Sequence, residues 1–104
     1  MNVLKVDVCY NVPHNYTGIA ELHTGSKYWY LNGQRHRLDG PAIEFKNGSK
    51  EWWFNGKKHR EDGPAIEDSN GHKAWYLNGI NYSQEEWFEL LSEEDKLNAI
   101  WNLR

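Results

Sequence analysis

A single cysteine, Cys9, occurs in the 104 residues, so no disulfide can form within the chain. That suits a reducing compartment. Long apolar runs are missing, and nothing approaches the length of a membrane span. The opening MNVLKVDV carries Lys5 and Asp7 inside its apolar stretch, unlike a secretory leader. Excess positive charge is missing too. A formal charge of −3 gives no overall pull toward DNA, RNA or an acidic membrane. The expectation is a soluble cytoplasmic protein with neither nucleic acid nor membrane as partner.

Reactive motifs are equally scarce. There is no nucleophile elbow, phosphate loop or HExxH. His14, His23, His36, His59 and His72 show no paired ligand spacing. No metal, cofactor, catalytic residue or enzymatic activity is expected. The carboxylates Glu85, Glu86, Glu93, Glu94 and Asp95 read as charges at helix starts.

Aromatic residues are abundant, with six Trp, six Tyr and three Phe, while Leu, Ile and Val are comparatively few. The buried area must come largely from rings, which favour strands. Their order reveals a repeat. Residues 17–33 (TGIAELHTGSKYWYLNG), 40–56 (GPAIEFKNGSKEWWFNG) and 63–79 (GPAIEDSNGHKAWYLNG) align without a gap at a period of 23. The linkers QRHRLD at 34–39 and KKHRED at 57–62 match as well. In the middle unit the Asn-Gly pairs and Gly-Pro mark tight turns between short alternating runs, and the first unit is a degenerate copy. Each unit reads as a β-hairpin plus a tight crossover, and three in series give an antiparallel meander.

Before the repeats, Leu4, Val6, Val8, Tyr10 and Val12 alternate with polar residues and predict a strand within 1–16. After them, Ser83 and Glu86 form a capping box, with Tyr82 and Trp87 placed as a hydrophobic staple. Two short helices follow within 80–104. The first should bury Trp87, Leu90 and Leu91, and the second Leu97, Ile100 and Trp101. The chain is thus one mainly β domain over 1–104: an N-terminal strand, three hairpin repeats and a helical cap.

Alternate strand residues point to opposite faces. Trp29, Trp52 and Trp75, with Leu31, Phe54 and Leu77, make one column, expected to be the core. Tyr30, Trp53 and Tyr76 make the other, open to a planar ligand or a protein. Glu21, Glu44 and Glu67 recur in the partner strands. The element HRxDG occurs at 36–40 and 59–63 and admits two readings. His36, Arg37, His59 and Arg60 could bind phosphate or carboxylate beside the rings. Alternatively, Asp and Gly shape a turn and Arg pairs with Asp or the Glu column, as exact repetition of the element favours.

The pattern WYLNG…HRxDGPAIE…NGxK resembles MORN-type repeats, in the divergent form labelled toxin–antitoxin repeats. It is also similar to small tailed-bacteriophage proteins in which such repeats precede a short acidic helical tail like SQEEWFELLSEEDKLNAIWNL. The resemblance covers about residues 17–104. It implies a β-hairpin array serving protein or lipid contact. Here Trp and HRxDGPA replace the usual glycine–tyrosine pattern, which, with the net negative charge, speaks against lipid. The expected function is a non-enzymatic binding protein, phage-encoded, that blocks a host defence protein. The expected contact residues are Tyr30, Trp53, Tyr76, His36, Arg37, His59 and Arg60. Two alternatives stand beside it: a sponge for a nucleotide-type signal, and a self-associating assembly module.

Overall fold

The computed structural model describes residues 2–7 and 12–102. The strands are β1 (Val3–Val6), β2 (Gly18–Leu22), β3 (Lys27–Leu31), β4 (Gln34–Arg35), β5 (Ile43–Glu44), β6 (Lys50–Glu51), β7 (Trp53–Phe54), β8 (Lys57–Lys58), β9 (Ile66–Glu67), β10 (Lys73–Leu77) and β11 (Ile80–Tyr82). Two helices follow, α1 (Gln84–Leu90) and α2 (Glu93–Asn102). The main sheet runs β1-β2-β3-β5-β6-β9-β10-β11, with β4 paired to β3 and a separate β7-β8 hairpin. The repeats form the antiparallel meander that the 23-residue period predicts. Strands β6 and β7 are two halves of what β3 and β10 make as single strands.

Two turns per unit follow directly from the sequence. Asn32-Gly33, Asn55-Gly56 and Asn78-Gly79 all have positive φ at both residues, which defines a two-residue type I′ hairpin. The other turn closes on Gly25, Gly48 or Gly71, again at positive φ. These second turns are tied to each other. Ser26 Oγ accepts from Lys46 N at 3.3 Å, and Ser49 Oγ accepts from Ser69 N at 2.9 Å.

The N-terminal strand is present but is not part of the antiparallel series. β1 pairs with β2 in parallel, Val3 opposite Ile19 through Val6 opposite Leu22. Val8, Cys9 and Tyr10 of the expected strand lie outside the described residues. Through β1 the sheet acquires a row not anticipated from the Glu column alone. Lys5, Glu21, Lys27, Glu44, Lys50, Glu67 and Lys73 are successive cross-strand partners. Charge alternates at every step, the favourable arrangement for side chains facing each other across a sheet.

The expected core needs correction. Trp29, Trp52 and Trp75 are only half-buried, and Leu31 and Phe54 are exposed. The fully buried positions in the repeats are small: Ala20, Ala42 and Ala65, with Ile43 nearly so. The reason is geometric. Among the described residues helix α1 packs on β10 and β11 at one end of the array, so the rings of the earlier units stay partly open, whereas an alanine has little surface to cover.

The capping box at Ser83 and Glu86 forms as the sequence predicts. Trp87 lies on the last repeat, fully buried, with its ring 6.4 Å from Trp75. Its Nε1 donates to the Arg60 carbonyl at 2.8 Å. Leu91, Ala99, Leu77, Tyr82 and Phe88 complete this cluster. Leu90 and the α2 stripe are a second correction. Leu90, Leu97, Ile100 and Trp101 are exposed, Leu97 at 65%, because α2 turns Ala99 rather than its large residues toward α1.

Trp87→Ala should therefore cost about 3–5 kcal/mol of unfolding free energy, as for a large buried aromatic. Leu97→Ala should change it by less than about 0.5 kcal/mol, as at exposed sites. Urea denaturation of both variants measures the contrast.

Candidate functional site

The two HRxDG copies make the same set of contacts. The Arg37 guanidinium lies 4.0 Å from the Trp29 ring centre, and that of Arg60 lies 3.7 Å from Trp52. Arg37 Nε donates to Asp39 at 2.9 Å, and its Nη1 donates to the Pro41 carbonyl at 3.1 Å and to Glu44 at 3.0 Å. Arg60 repeats this with Asp62, Pro64 and Glu67 at 2.7, 3.0 and 2.7 Å. A cation on a ring contributes about 0.5–2 kcal/mol, more as water is excluded. These side chains are only 21% and 14% exposed.

The glycine of the motif belongs to the same contact. A Cβ at Gly63 would stand 2.8 Å from the Arg60 Cζ, and one at Gly40 would stand 3.0 Å from the Arg37 Cζ. Neither glycine requires positive φ. Only the close approach of the guanidinium excludes a side chain there.

The histidines link one unit to the next. His36 Nδ1 accepts from the Asn55 amide and His59 Nδ1 from the Asn78 amide, both at 2.9 Å. Since a backbone N–H only donates, these imidazole lone pairs are occupied and the ring proton sits on Nε2. In His59 that Nε2–H faces Glu61 at 2.9 Å. In the first unit Thr17 Oγ1 takes the histidine's place, accepting from the Asn32 amide. The turn glycines complete the link: Gly33, Gly56 and Gly79 donate to the carbonyls of Tyr16, Arg35 and Lys58.

Tyr30, Trp53 and Tyr76 stand on the opposite face and are half-buried. The Arg37 and Arg60 amides donate to the Trp53 and Tyr76 carbonyls, but their guanidinium groups lie on Trp29 and Trp52 instead of on these rings. The structure brings Arg35 and Lys58 there, two residues the sequence reading passed over. Arg35 sits 5.5 Å from the Tyr28 ring centre and 5.1 Å from that of Trp53. Lys58 sits 5.6 Å from Trp53 and 5.1 Å from Tyr76. The face thus reads ring, cation, ring, cation, ring. A signal for it existed. A two-residue turn at Asn-Gly fixes the register, placing Arg35 opposite Tyr30 and Lys58 opposite Trp53.

The two faces differ in electrostatics. Arg37 and Arg60 each have two carboxylate partners. Among the described residues, Arg35 and Lys58 have no carboxylate within ion-pair distance. Arg35 Nε is buried with no hydrogen-bond partner among them. A groove of about 600 Å³ opens beside Arg35, between the Asn32-Gly33 and Asn55-Gly56 turns and the segment 12–14, and among the described residues no acidic one lines it. The groove on the Trp29 side, about 570 Å³, is lined by Asp39, Glu61, Asp62 and Asp95.

No protein-family model matches the chain, and neither a curated protein nor a solved structure is significantly similar to it. No group of three or more potential metal ligands occurs among the described residues. No helix among them is long and apolar enough to cross a membrane.

Two outcomes are expected of the clamp. Gly63→Ala should destabilise by about 1–3 kcal/mol, the usual cost of overpacking. Most of that loss should vanish when Arg60→Ala is also present, because the pair in contact couples. A double-mutant cycle by denaturant unfolding measures the coupling.

The second outcome concerns acid. Arg37 holds the Asp39 carboxyl below its ordinary value, mainly by the hydrogen bond from Nε and then by charge attraction. A carboxyl lowered in the folded state adds stability above its unfolded pKa and loses it as pH falls through the folded value. The stability difference between the wild type and Asp39→Asn should be constant from pH 5 to 8. It should shrink below about pH 4, the unfolded aspartate range. Urea midpoints across pH give this curve.

Proposed function

We propose that the chain is a non-enzymatic binding protein that engages a partner protein through the Tyr30, Trp53 and Tyr76 face. One observation carries the reading: Arg35 and Lys58 both lie against Trp53 without carboxylate partners among the described residues, while the motif cations on the other face are paired within the fold. Rings and arginine are the groups that dominate the energy of protein interfaces. His36 and His59 point away from catalysis in this reading, because their Nδ1 lone pairs are committed to backbone amides. The MORN-like pattern of the repeats and the acidic helical tail favour a phage-encoded protein acting in the host cytoplasm on a host factor.

The test is capture from a bacterial host lysate by the full chain, by Lys58→Glu and by Leu97→Ala, followed by mass spectrometry. A specific partner should be retained by wild type and Leu97→Ala, and reduced at least tenfold by Lys58→Glu. Equal capture by all three places the contact elsewhere and ends this reading. Light scattering that shows a stable oligomer disrupted by Lys58→Glu would replace it with self-association.

A further inference from the structure

We infer that the bonds joining the second and third units to their predecessors are proton-gated: acid that charges His36 and His59 releases the Asn55 and Asn78 turns and leaves the first turn in place. This goes beyond the protein-binding reading and does not depend on it. The observation that carries it is the direction of the two bonds. The Asn55 and Asn78 amides donate to the Nδ1 atoms of His36 and His59, both at 2.9 Å. A backbone N–H cannot accept, so only a ring with a lone pair on Nδ1 makes this contact. The charged imidazolium carries a proton on both nitrogens, and two N–H groups then point at each other. Histidine takes up its proton between about pH 8 and 5.

Three equivalent turns make a built-in comparison. Asn32, Asn55 and Asn78 share the left-handed backbone, at φ of 50°, 49° and 52°, and all three are exposed. The Asn32 amide donates to Thr17 Oγ1 at 2.9 Å, and a threonine hydroxyl does not titrate in this range. Acid therefore acts on two of the turns and spares the third. Each turn also keeps a bond that involves no titratable group, since Gly33, Gly56 and Gly79 donate to backbone carbonyls of the preceding segment. With that bond in place and water at hand for the released amide, the array loosens without unfolding.

The charges around the two rings differ. His36 packs on the Phe54 ring, 4.6 Å between centres, and among the described residues no carboxylate stands within ion-pair distance of it. His59 lies 6.1 Å from the same ring and has Glu61 at its Nε2, 2.9 Å away. It also shares a groove with Asp39, Asp62, Asp95, Arg37 and Arg60. Arg37 and Arg60 are paired with Asp39 and Asp62, which leaves Glu61 as the charged group in direct contact with His59. A carboxylate there favours the charged ring, the state that breaks the link. The other histidines stand apart from the two links. His23 and His72 lie 3.7 and 3.8 Å from Asp7 and Asp68, and His14 borders the first turn, where Thr17 is the acceptor. The Asp39 carboxyl responds only below about pH 4, so its loss is separate.

The experiment is amide hydrogen exchange by NMR on the full chain from about pH 8 to 5, each rate corrected for the pH dependence of intrinsic exchange. The same series is run on His36→Asn, whose Oδ1 can stand in for Nδ1 and does not titrate. In the wild type the protection of Asn55 and Asn78 should fall at least about fivefold relative to Asn32, the scale of one lost hydrogen bond. In His36→Asn the loss should vanish at Asn55 and persist at Asn78. Equal behaviour of all three turns overturns the inference. So does a loss at Asn55 that survives His36→Asn, which puts its origin outside the ring. Should His36→Asn fail to fold, the wild type decides, with the ring nitrogens followed by their chemical shifts. A ring that charges while its asparagine stays protected overturns the gate. None of these results bears on protein capture, so the two readings fail separately.

Discussion

The contact of an arginine guanidinium with a tryptophan ring, repeated once per unit, sets most of what the rest of the chain must be. A planar cation lying on Trp29 or Trp52 demands carboxylates at its edges, which Asp39, Glu44, Asp62 and Glu67 supply. It leaves no room for a side chain at the fifth motif position, hence Gly40 and Gly63. It draws on the carbonyl of the following proline, which ties the crossover just before the buried Ala42 or Ala65. A short motif is thus one interaction written out in the residues needed to satisfy it. Each guanidinium meets two carboxylates and a carbonyl through Nε and Nη1, the kind of pairing a partly buried charge needs.

The third unit lacks this contact, and the helical cap stands in for it. The position that would hold the next arginine is Ser83, which starts α1 instead. One turn later Trp87 covers Trp75 with a ring where the earlier units use a cation. Its indole N–H takes the Arg60 carbonyl, so the cap is bonded to the last complete clamp. The array ends where the repeated chemistry can be replaced by an apolar contact, as terminal caps of repeat proteins require.

Much of the fold was legible because turns and periods are local. The Asn-Gly pairs fix hairpins wherever they occur, and the 23-residue spacing fixes their order. Helix α1 was legible from Ser83, Glu86 and Trp87 for the same reason. The core was not, because alternation says only which residues share a face. Whether Trp29 or Leu31 is enclosed depends on a second layer, and the small Ala42 and Ala65 that take the buried places carry no periodic hydrophobic signal of their own. The α2 stripe misled in the same way: Leu97, Ile100 and Trp101 share a helical face, but the contact runs through Ala99. As for the site, Tyr30, Trp53 and Tyr76 were identified, and their cations were not. Arg35 and Lys58 follow from the register across a turn, a pairing that a linear reading of motifs passes over.

The link from each histidine to the next asparagine turn runs in one direction, from His36 to Asn55 and from His59 to Asn78. Each unit therefore hands an acceptor forward and receives one from behind. With Thr17 opening the series and Trp87 closing it, the interior is made of interchangeable modules. Lengthening or shortening the chain by one whole period would rejoin every donor to an equivalent acceptor and keep the Lys–Glu row in alternation. A change that is not a whole number of periods would take the histidine out of reach of the next asparagine turn in the unit that carries it. Chain length in this architecture is quantised.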